Sequence, residues 1–283
     1  MIVLITGADG MLGRTLQHEL QGVEVIPTNH KTADITDAAA FDRCLALHKP
    51  DVVIHCAAMT AVDKCETEID QAYRINAVGT ENVASACYRH GAKLIAISTD
   101  YVFEGDSPVP YTEFDAPTGG HCVYGQSKWA AEQAVRTHCP NHIIARVSWL
   151  YGPGGPSFLD KMLSLADGTR EVLKVVNDQR GNPTSTIAVA QALNELLRHP
   201  ELVGTYHLTC EGEATWYDFA CRIFELAHVN QKVIPCTSEE FRSPAKRPAN
   251  SRLAKKKLEY TLNYKMPSWD TALADYLTRF YTK

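Results

Sequence analysis

The segment Ile2-Val3-Leu4-Ile5-Thr6-Gly7-Ala8-Asp9-Gly10-Met11-Leu12-Gly13 decides the fold. Its opening four residues form an unbroken apolar run, the pattern of a strand covered on both faces in a parallel sheet. Gly7, Gly10 and Gly13 then give G-x-x-G-x-x-G, and a helical pattern through Leu16 and Leu20 follows. Glycines at a strand-to-helix junction permit a tight turn and let the backbone approach a pyrophosphate, which rests on the helix N-terminus. The spacing differs by one residue from G-x-G-x-x-G, and three glycines can also serve a structural turn alone.

Working outward, further strands are expected at residues 23–26, 52–57, 93–98 and 142–147. Helical patterns lie between them at 37–48, at 70–90, and in the segment carrying Tyr124 and Lys128. This alternation predicts an α/β fold, a doubly wound parallel (Rossmann-type) sheet forming a dinucleotide-binding domain over residues 1–150. Beyond Trp149 the texture changes at Tyr151-Gly152-Pro153-Gly154-Gly155-Pro156, a loop by composition. A strand at 172–176 and a helix at 186–198 are expected to return to the main sheet. The remainder of 151–283 reads as a smaller C-terminal α/β substrate-binding lobe.

The totals exclude several classes. A chain of 283 residues with 45% hydrophobic and 22% charged residues is ordinary for a globular protein. A net charge of −5 makes no case for nucleic acid or an anionic membrane as partner. The nine cysteines are scattered without a C-x-x-C pair, which predicts reduced thiols and a cytoplasmic location. The opening apolar run is too short for a signal-peptide core or a membrane span. Lys255-Lys256-Lys257 reads as a solvated helix face, and 138–142, with its two histidines and a cysteine, as surface residues rather than a metal site.

Tyr124 and Lys128, four residues apart, lie on one helical face. A lysine near a phenol favours the phenolate and is expected to lower its pKa, preparing Tyr124 for proton exchange with a carbonyl or hydroxyl. Ser98-Thr99-Asp100-Tyr101 ends the fourth strand, at the carboxyl edge where open α/β sheets bind ligands. Thr99 there can hydrogen-bond a substrate carbonyl. After the second strand the chain reads Thr28-Asn29-His30-Lys31, without the carboxylate that usually holds an NAD ribose. His30 and Lys31 would tolerate or attract a 2′-phosphate, so NADPH is expected, with NADH also usable. Asp34 is assigned to the adenine amino group; Thr36 or Asp37 is the more natural helix cap.

The glycine turn, Thr99, and the Tyr124/Lys128 pair together resemble the extended short-chain dehydrogenase/reductase superfamily. Ser98-Thr99-Asp100-Tyr101-Val102-Phe103, Val123-Tyr124-Gly125-Gln126-Ser127-Lys128 and Arg146-Val147-Ser148-Trp149-Leu150-Tyr151-Gly152 narrow this to the dTDP-4-dehydrorhamnose reductase family. Ala57-Ala58-Met59-Thr60-Ala61-Val62-Asp63, Asn182-Pro183-Thr184 and Arg247-Pro248-Ala249-Asn250-Ser251 carry the same resemblance. It implies reduction of the C4 keto group of dTDP-6-deoxy-L-lyxo-4-hexulose to dTDP-L-rhamnose, a step in cell-surface polysaccharide synthesis. In that reading Tyr124 protonates the C4 alkoxide, Lys128 tunes it and holds the nicotinamide ribose, and Thr99 orients the carbonyl. Asp100 and Trp149 would line the sugar pocket. Gly10, Met11 and Leu12 would face the pyrophosphate, Asp34 and Ile35 the adenine, and Ala58, Met59 and Thr60 the middle of the cofactor. Gly7, Gly13, Ala57 and Ile97 complete the cofactor set. Arg247 is either a partner of the nucleotide diphosphate or half of a surface ion pair.

Two departures bear on function. Some relatives form a magnesium-bridged dimer through a glutamate two residues after the last motif glycine; Thr15 stands there, which argues against that dimer and leaves monomer or homodimer. Cys56 replaces an asparagine-like residue before the alanine pair. A dehydratase would need a carboxylate after Asp100, where Tyr101 stands. A C4-epimerase, another nucleotide-sugar reductase, and a non-catalytic regulatory subunit like the methionine adenosyltransferase beta subunit are the remaining alternatives.

Overall fold

The computed structural model describes residues 1–281. Strand β1 (Ile2–Thr6) leads through the glycine turn into helix α1 (Met11–Glu19), and β2 (Glu24–Pro27), α2 (Ala38–His48) and β3 (Val52–His55) follow. After the short α3 (Val62–Cys65) come α4 (Ile69–Tyr73), a π-helical turn at Arg74–Val78, and α5 (Gly79–His90). Then come β4 (Lys93–Thr99), α6 (Val123–His138), β5 (His142–Val147) and β6 (Leu150–Tyr151). The chain continues with α7 (Phe158–Leu165), β7 (Val172–Val176), β8 (Arg180–Gly181), β9 (Thr184–Ser185), α8 (Thr186–Leu197) and β10 (Gly204–His207). It closes with β11 (Ala214–Thr215), α9 (Trp216–Leu226), β12 (Lys232–Cys236), α10 (Ser238–Phe241), α11 (Lys256–Leu262) and α12 (Trp269–Phe280).

Six parallel strands form the central sheet in the order β10-β5-β4-β3-β1-β2. Side chains alternate between its faces, and helices cover both. Val3, Ile5, Ile54 and Ile143 pack with Leu12 and Leu16 of α1 and with Ala188–Leu197 of α8. Leu4, Val53, Leu94 and Ile144 pack with Phe41, Leu45, Val83 and Val135 from the helices α2, α5 and α6. The doubly wound expectation therefore holds. The chain reverses its winding at β1, so the carboxyl ends of β1 and β3 flank a switch point, where such sheets bind ligands. Gly7 sits there with φ +66°, and a Cβ on it would stand 2.7 Å from the Ala57 backbone.

Several details differ from expectation. Strand β7 does not return to the main sheet; it pairs in parallel with β12. Helix α8 does return, and β10, from the stretch assigned to the lobe, is the sixth strand beside β5. The expected continuous helix over 70–90 is interrupted by the π turn, where Asn76 is fully buried. Lys255 is buried, donating to the carbonyls of Cys210 and Leu253 and pairing with Glu211 at 3.1 Å. Lys257 is half-buried over the Tyr206 ring, and Lys256 is the exposed member of that triplet. Cys139 and His142 are likewise buried, the imidazole Nδ1 2.6 Å from the Cys139 carbonyl. All nine cysteines are free.

The lobe has its own core, in which Leu159, Leu173, Phe219, Ile223, Leu273 and Tyr276 meet. Its helices are set by sequence-local caps: Ser157 with Asp160 at α7 and Thr215 with Asp218 at α9 form capping boxes.

Candidate active site

Two clefts meet at the carboxyl edge of the sheet, sharing Thr60 and Leu150 in their walls. The first, of about 950 Å³, runs from the glycine turn past Asp34 and Ile35 to Tyr124 and Lys128. The second, of about 1680 Å³, opens between the sheet and the lobe and is lined by Trp149, Trp216 and Arg247. The first has the shape and donors for a dinucleotide. Its floor is bare backbone at Gly7, Gly10 and Gly13, and a Cβ on Gly13 would stand 2.4 Å from the Gly7 carbonyl oxygen.

Helix α6 begins at Cys122, whose thiol accepts from the Gly125 amide, and so points Tyr124 and Lys128 into the first cleft. Lys128 Nζ donates to the Ile97 carbonyl at 2.8 Å. Burial pulls its pKa down to about 8, against the charge of Glu132 one turn further on. The phenol does not behave as the sequence suggests. Burial pushes the Tyr124 pKa well above the ordinary tyrosine value, and a hydrogen bond with the Thr99 hydroxyl opposes the rise. Burial thus keeps the Tyr124 phenol neutral, a proton donor rather than a prepared phenolate. Its ring meets Tyr101 edge-on, with centroids 5.6 Å apart.

Thr99 ends β4 and donates to Asp100 Oδ1 at 3.0 Å. Asp100 itself lines neither cleft: it is 2% exposed, its Oδ2 has no hydrogen-bond partner, and burial raises its pKa to about 7. Arg247 pairs with Asp63 at 3.0 Å and lies 3.4 Å from the Tyr101 hydroxyl, on the wall of the second cleft.

At the adenine end, His30 lines the first cleft whereas Lys31 is exposed outside it. Asp34 accepts from the Thr36 amide and hydroxyl, and the amide bond holds its carboxyl below the usual range. Asp37 is the cap of α2, accepting from the Ala40 amide. Met59 does not line the first cleft, although its neighbours Ala57, Ala58 and Thr60 do, along with Met11, Leu12 and Ile97.

A match to the family model described as RmlD substrate binding domain spans residues 1–282. A dTDP-4-dehydrorhamnose reductase ortholog from Clostridium acetobutylicum is 45% identical, with TM-score 0.96 and complete coverage of both chains. The dTDP-4-dehydrorhamnose reductase of Bacillus anthracis, solved in complex with NADP, is 41% identical over 98% of this chain and 99% of its own, with TM-score 0.95. A probable dTDP-4,6-dihydroxy-2-methyloxan-3-one 4-ketoreductase from Streptomyces antibioticus is 41% identical over 96% of this chain and 93% of its own. The chain belongs to the dTDP-4-dehydrorhamnose reductase family.

In this family member the sequence reading missed two supports of the site. Asn76 takes the Met59 amide at 2.7 Å and donates to the Met59 carbonyl and the Ser127 hydroxyl. The π turn aims it inward and so joins the 57–60 loop to α6. Arg74, from the same turn, lines the adenine end of the first cleft near Asp34. Arg74 is one of several charged residues in 70–90, with Asp70, Glu81 and Arg89, and nothing local singles it out. Nothing local marks Asn76. Among the described residues, no group of three or more His, Cys, Asp or Glu could hold a metal, and no helix is long and apolar enough to cross a membrane.

Proposed function

We propose that this chain is an NAD(P)H-dependent nucleotide-sugar reductase that converts dTDP-4-dehydro-L-rhamnose to dTDP-L-rhamnose for cell-surface polysaccharide synthesis. The observation that carries the reading is that Tyr124 and Lys128 line a dinucleotide-sized cleft, which adjoins a second, larger one at Thr60 and Leu150. A bound nicotinamide dinucleotide supplies the hydride to C4. The glycine turn receives its pyrophosphate, and Lys128, buried and charged at neutral pH, holds the nicotinamide ribose. Tyr124 then gives its proton to the C4 oxygen as negative charge develops there, and its raised pKa suits a donor that must stay protonated until that moment. Thr99, beside the phenol, orients the carbonyl. Trp149 and Arg247 face the sugar and diphosphate from the second cleft.

NADPH is the preferred donor, because His30 and Arg74 line the adenine end and can meet a 2′-phosphate; NADH is accepted more weakly. Free thiols at all nine cysteines fit a cytoplasmic enzyme. Thr15, where the bridging glutamate would stand, bonds Thr186 at 2.8 Å and supplies no carboxylate there, so the chain works as a monomer or a simple homodimer without a metal bridge. The Streptomyces antibioticus relative favours a second reading, a 4-ketoreductase for a different dTDP-deoxysugar.

The test follows NADPH absorbance with dTDP-4-dehydro-L-rhamnose and identifies the product. Stoichiometric NADPH loss with dTDP-L-rhamnose formation is expected. No NADPH consumption would favour a regulatory role, and product formation without net consumption an epimerase.

A further inference from the structure

Trp149 follows β5 with φ +46°, a left-handed backbone conformation that a bulky side chain rarely adopts. Such strain persists only where the surroundings hold it. Here the indole lies flat on Trp216, with ring centroids 3.5 Å apart and planes 4° from parallel. Its edge presses on Gly181, where a Cβ would stand 2.4 Å from the indole Cε2. Trp216 is itself fixed: Nε1 donates to Gln179 Oε1 at 3.1 Å, Gln179 Nε2 donates to Ser238 Oγ at 2.8 Å, and the Phe158 ring packs at 4.6 Å. Trp149, Trp216, Phe158, Gln179 and Ser238 all line the second cleft.

We propose that Trp216 is a positioning residue for substrate recognition: it holds Trp149 in its strained conformation, so the paired indoles give the second cleft a fixed apolar wall for the deoxygenated, methyl-bearing face of the sugar ring. This rests on the nucleotide-sugar reading above. A rigid aromatic surface gains most against a face that carries a methyl and least against a fully hydroxylated hexose. The stack sits at the base of α9, set by the Thr215–Asp218 capping box, so the lobe's own packing fixes the wall. Gly181 is required on the opposite strand for the same reason.

Steady-state kinetics with Trp216→Ala and Trp216→Phe test this. The alanine variant is expected to raise KM for the keto-sugar nucleotide by about tenfold while kcat and NADPH affinity stay within about threefold. The phenylalanine variant, which keeps a flat ring under Trp149, should recover most of that loss. An unchanged KM in Trp216→Ala, an equal loss of NADPH affinity, or no recovery with phenylalanine would overturn the proposal. A second measurement is independent of substrate identity. The Thr184 amide donates to the Trp149 carbonyl at 3.2 Å, and β6 pairs with β9 at Leu150 and Thr184. Hydrogen exchange there should accelerate in Trp216→Ala, and unaltered exchange overturns the inference even if the wild type is active. An inactive wild type with accelerated exchange sinks the substrate assignment and leaves the positioning role standing.

Discussion

Lys128 Nζ donates a 2.8 Å hydrogen bond to the carbonyl of Ile97, two residues before Thr99 on β4. The bond ties the helix carrying Tyr124 to the strand end carrying Thr99, fixing the two hydroxyls relative to each other. It also gives a partner to an ammonium that is 4% exposed and pairs with no carboxylate among the described residues. That arrangement is poor for stability, and it suits the cofactor-holding role proposed for Lys128.

Replacing Lys128 with methionine should therefore abolish turnover and stabilise the fold at neutral pH. The folded pKa, about 8, lies below the ordinary lysine value of 10.5. A depressed lysine contributes stability above its unfolded pKa and loses it as pH falls through the folded one, so the wild type carries its full cost below pH 8. A shift of this size corresponds to roughly 3 kcal/mol at most. Thermal melts of the two proteins from pH 7 to 10 should converge as pH rises. A variant less stable than wild type at pH 7 would show that the hydrogen bond to Ile97 outweighs the burial.

Asp100 gives the opposite slope. Burial raises its pKa from 3.8 to about 7, so its contribution is fully present below pH 4 and lost as pH rises through 7. Asp100→Asn keeps an acceptor for Thr99 and removes the ionisation. The variant should match wild type below pH 4 and melt at a higher temperature at pH 8, by an amount worth a few kcal/mol. Parallel melting curves across that range would mean that the carboxylate finds a partner for its free oxygen.

The parts of this architecture legible in sequence were those written in local pattern. The apolar run of β1, the glycine turn, the later strands and the Tyr124/Lys128 spacing each depend on residues within one turn or one strand. Sheet membership does not. Residues 172–176 and 204–207 are both short strands, and only long-range pairing sends the first to β12 and the second to the main sheet. The same limit explains Lys255 and His142, whose burial is decided by segments distant in sequence. The pKa of Tyr124 is not legible in sequence, because spacing reveals a neighbouring charge but not the desolvation that outweighs it.

The glycine turn can be tested for its closeness rather than its flexibility. A Cβ on Gly13 would lie 2.4 Å from the Gly7 carbonyl oxygen and 2.7 Å from Ala8 Cα, both backbone atoms that cannot step aside. Gly10→Ala meets only the Gly7 oxygen, at 3.2 Å. Gly13→Ala should cost roughly 1–3 kcal/mol in denaturant unfolding, the usual range for overpacking, and weaken NADPH binding, while Gly10→Ala changes stability little. Equal effects would show that the turn gives way as a unit.

The last prediction concerns the charge network behind the site. Glu132, one helical turn past Lys128, accepts two hydrogen bonds from Arg146 at 2.8 Å, one from Arg136 at 3.1 Å and one from Ser98 at 2.6 Å. Arg146 is 1% exposed and also lies over the Phe103 ring. Glu132→Ala leaves that guanidinium buried without its carboxylate, which costs about 3–5 kcal/mol when a buried pair loses one member. Glu132→Leu combined with Arg146→Met should recover much of that loss, because two apolar side chains leave no charge unpaired. The Arg146 and Ser98 contacts hold the Glu132 pKa below its ordinary value against burial, so the network's contribution is present above pH 4.5 and disappears as pH falls through the folded pKa. Urea unfolding of the single and double variants at pH 7 and pH 4 reads both effects. A double variant no more stable than Glu132→Ala would mean that the network stabilises through its geometry, by holding Ser98 and the end of β4, rather than through charge pairing.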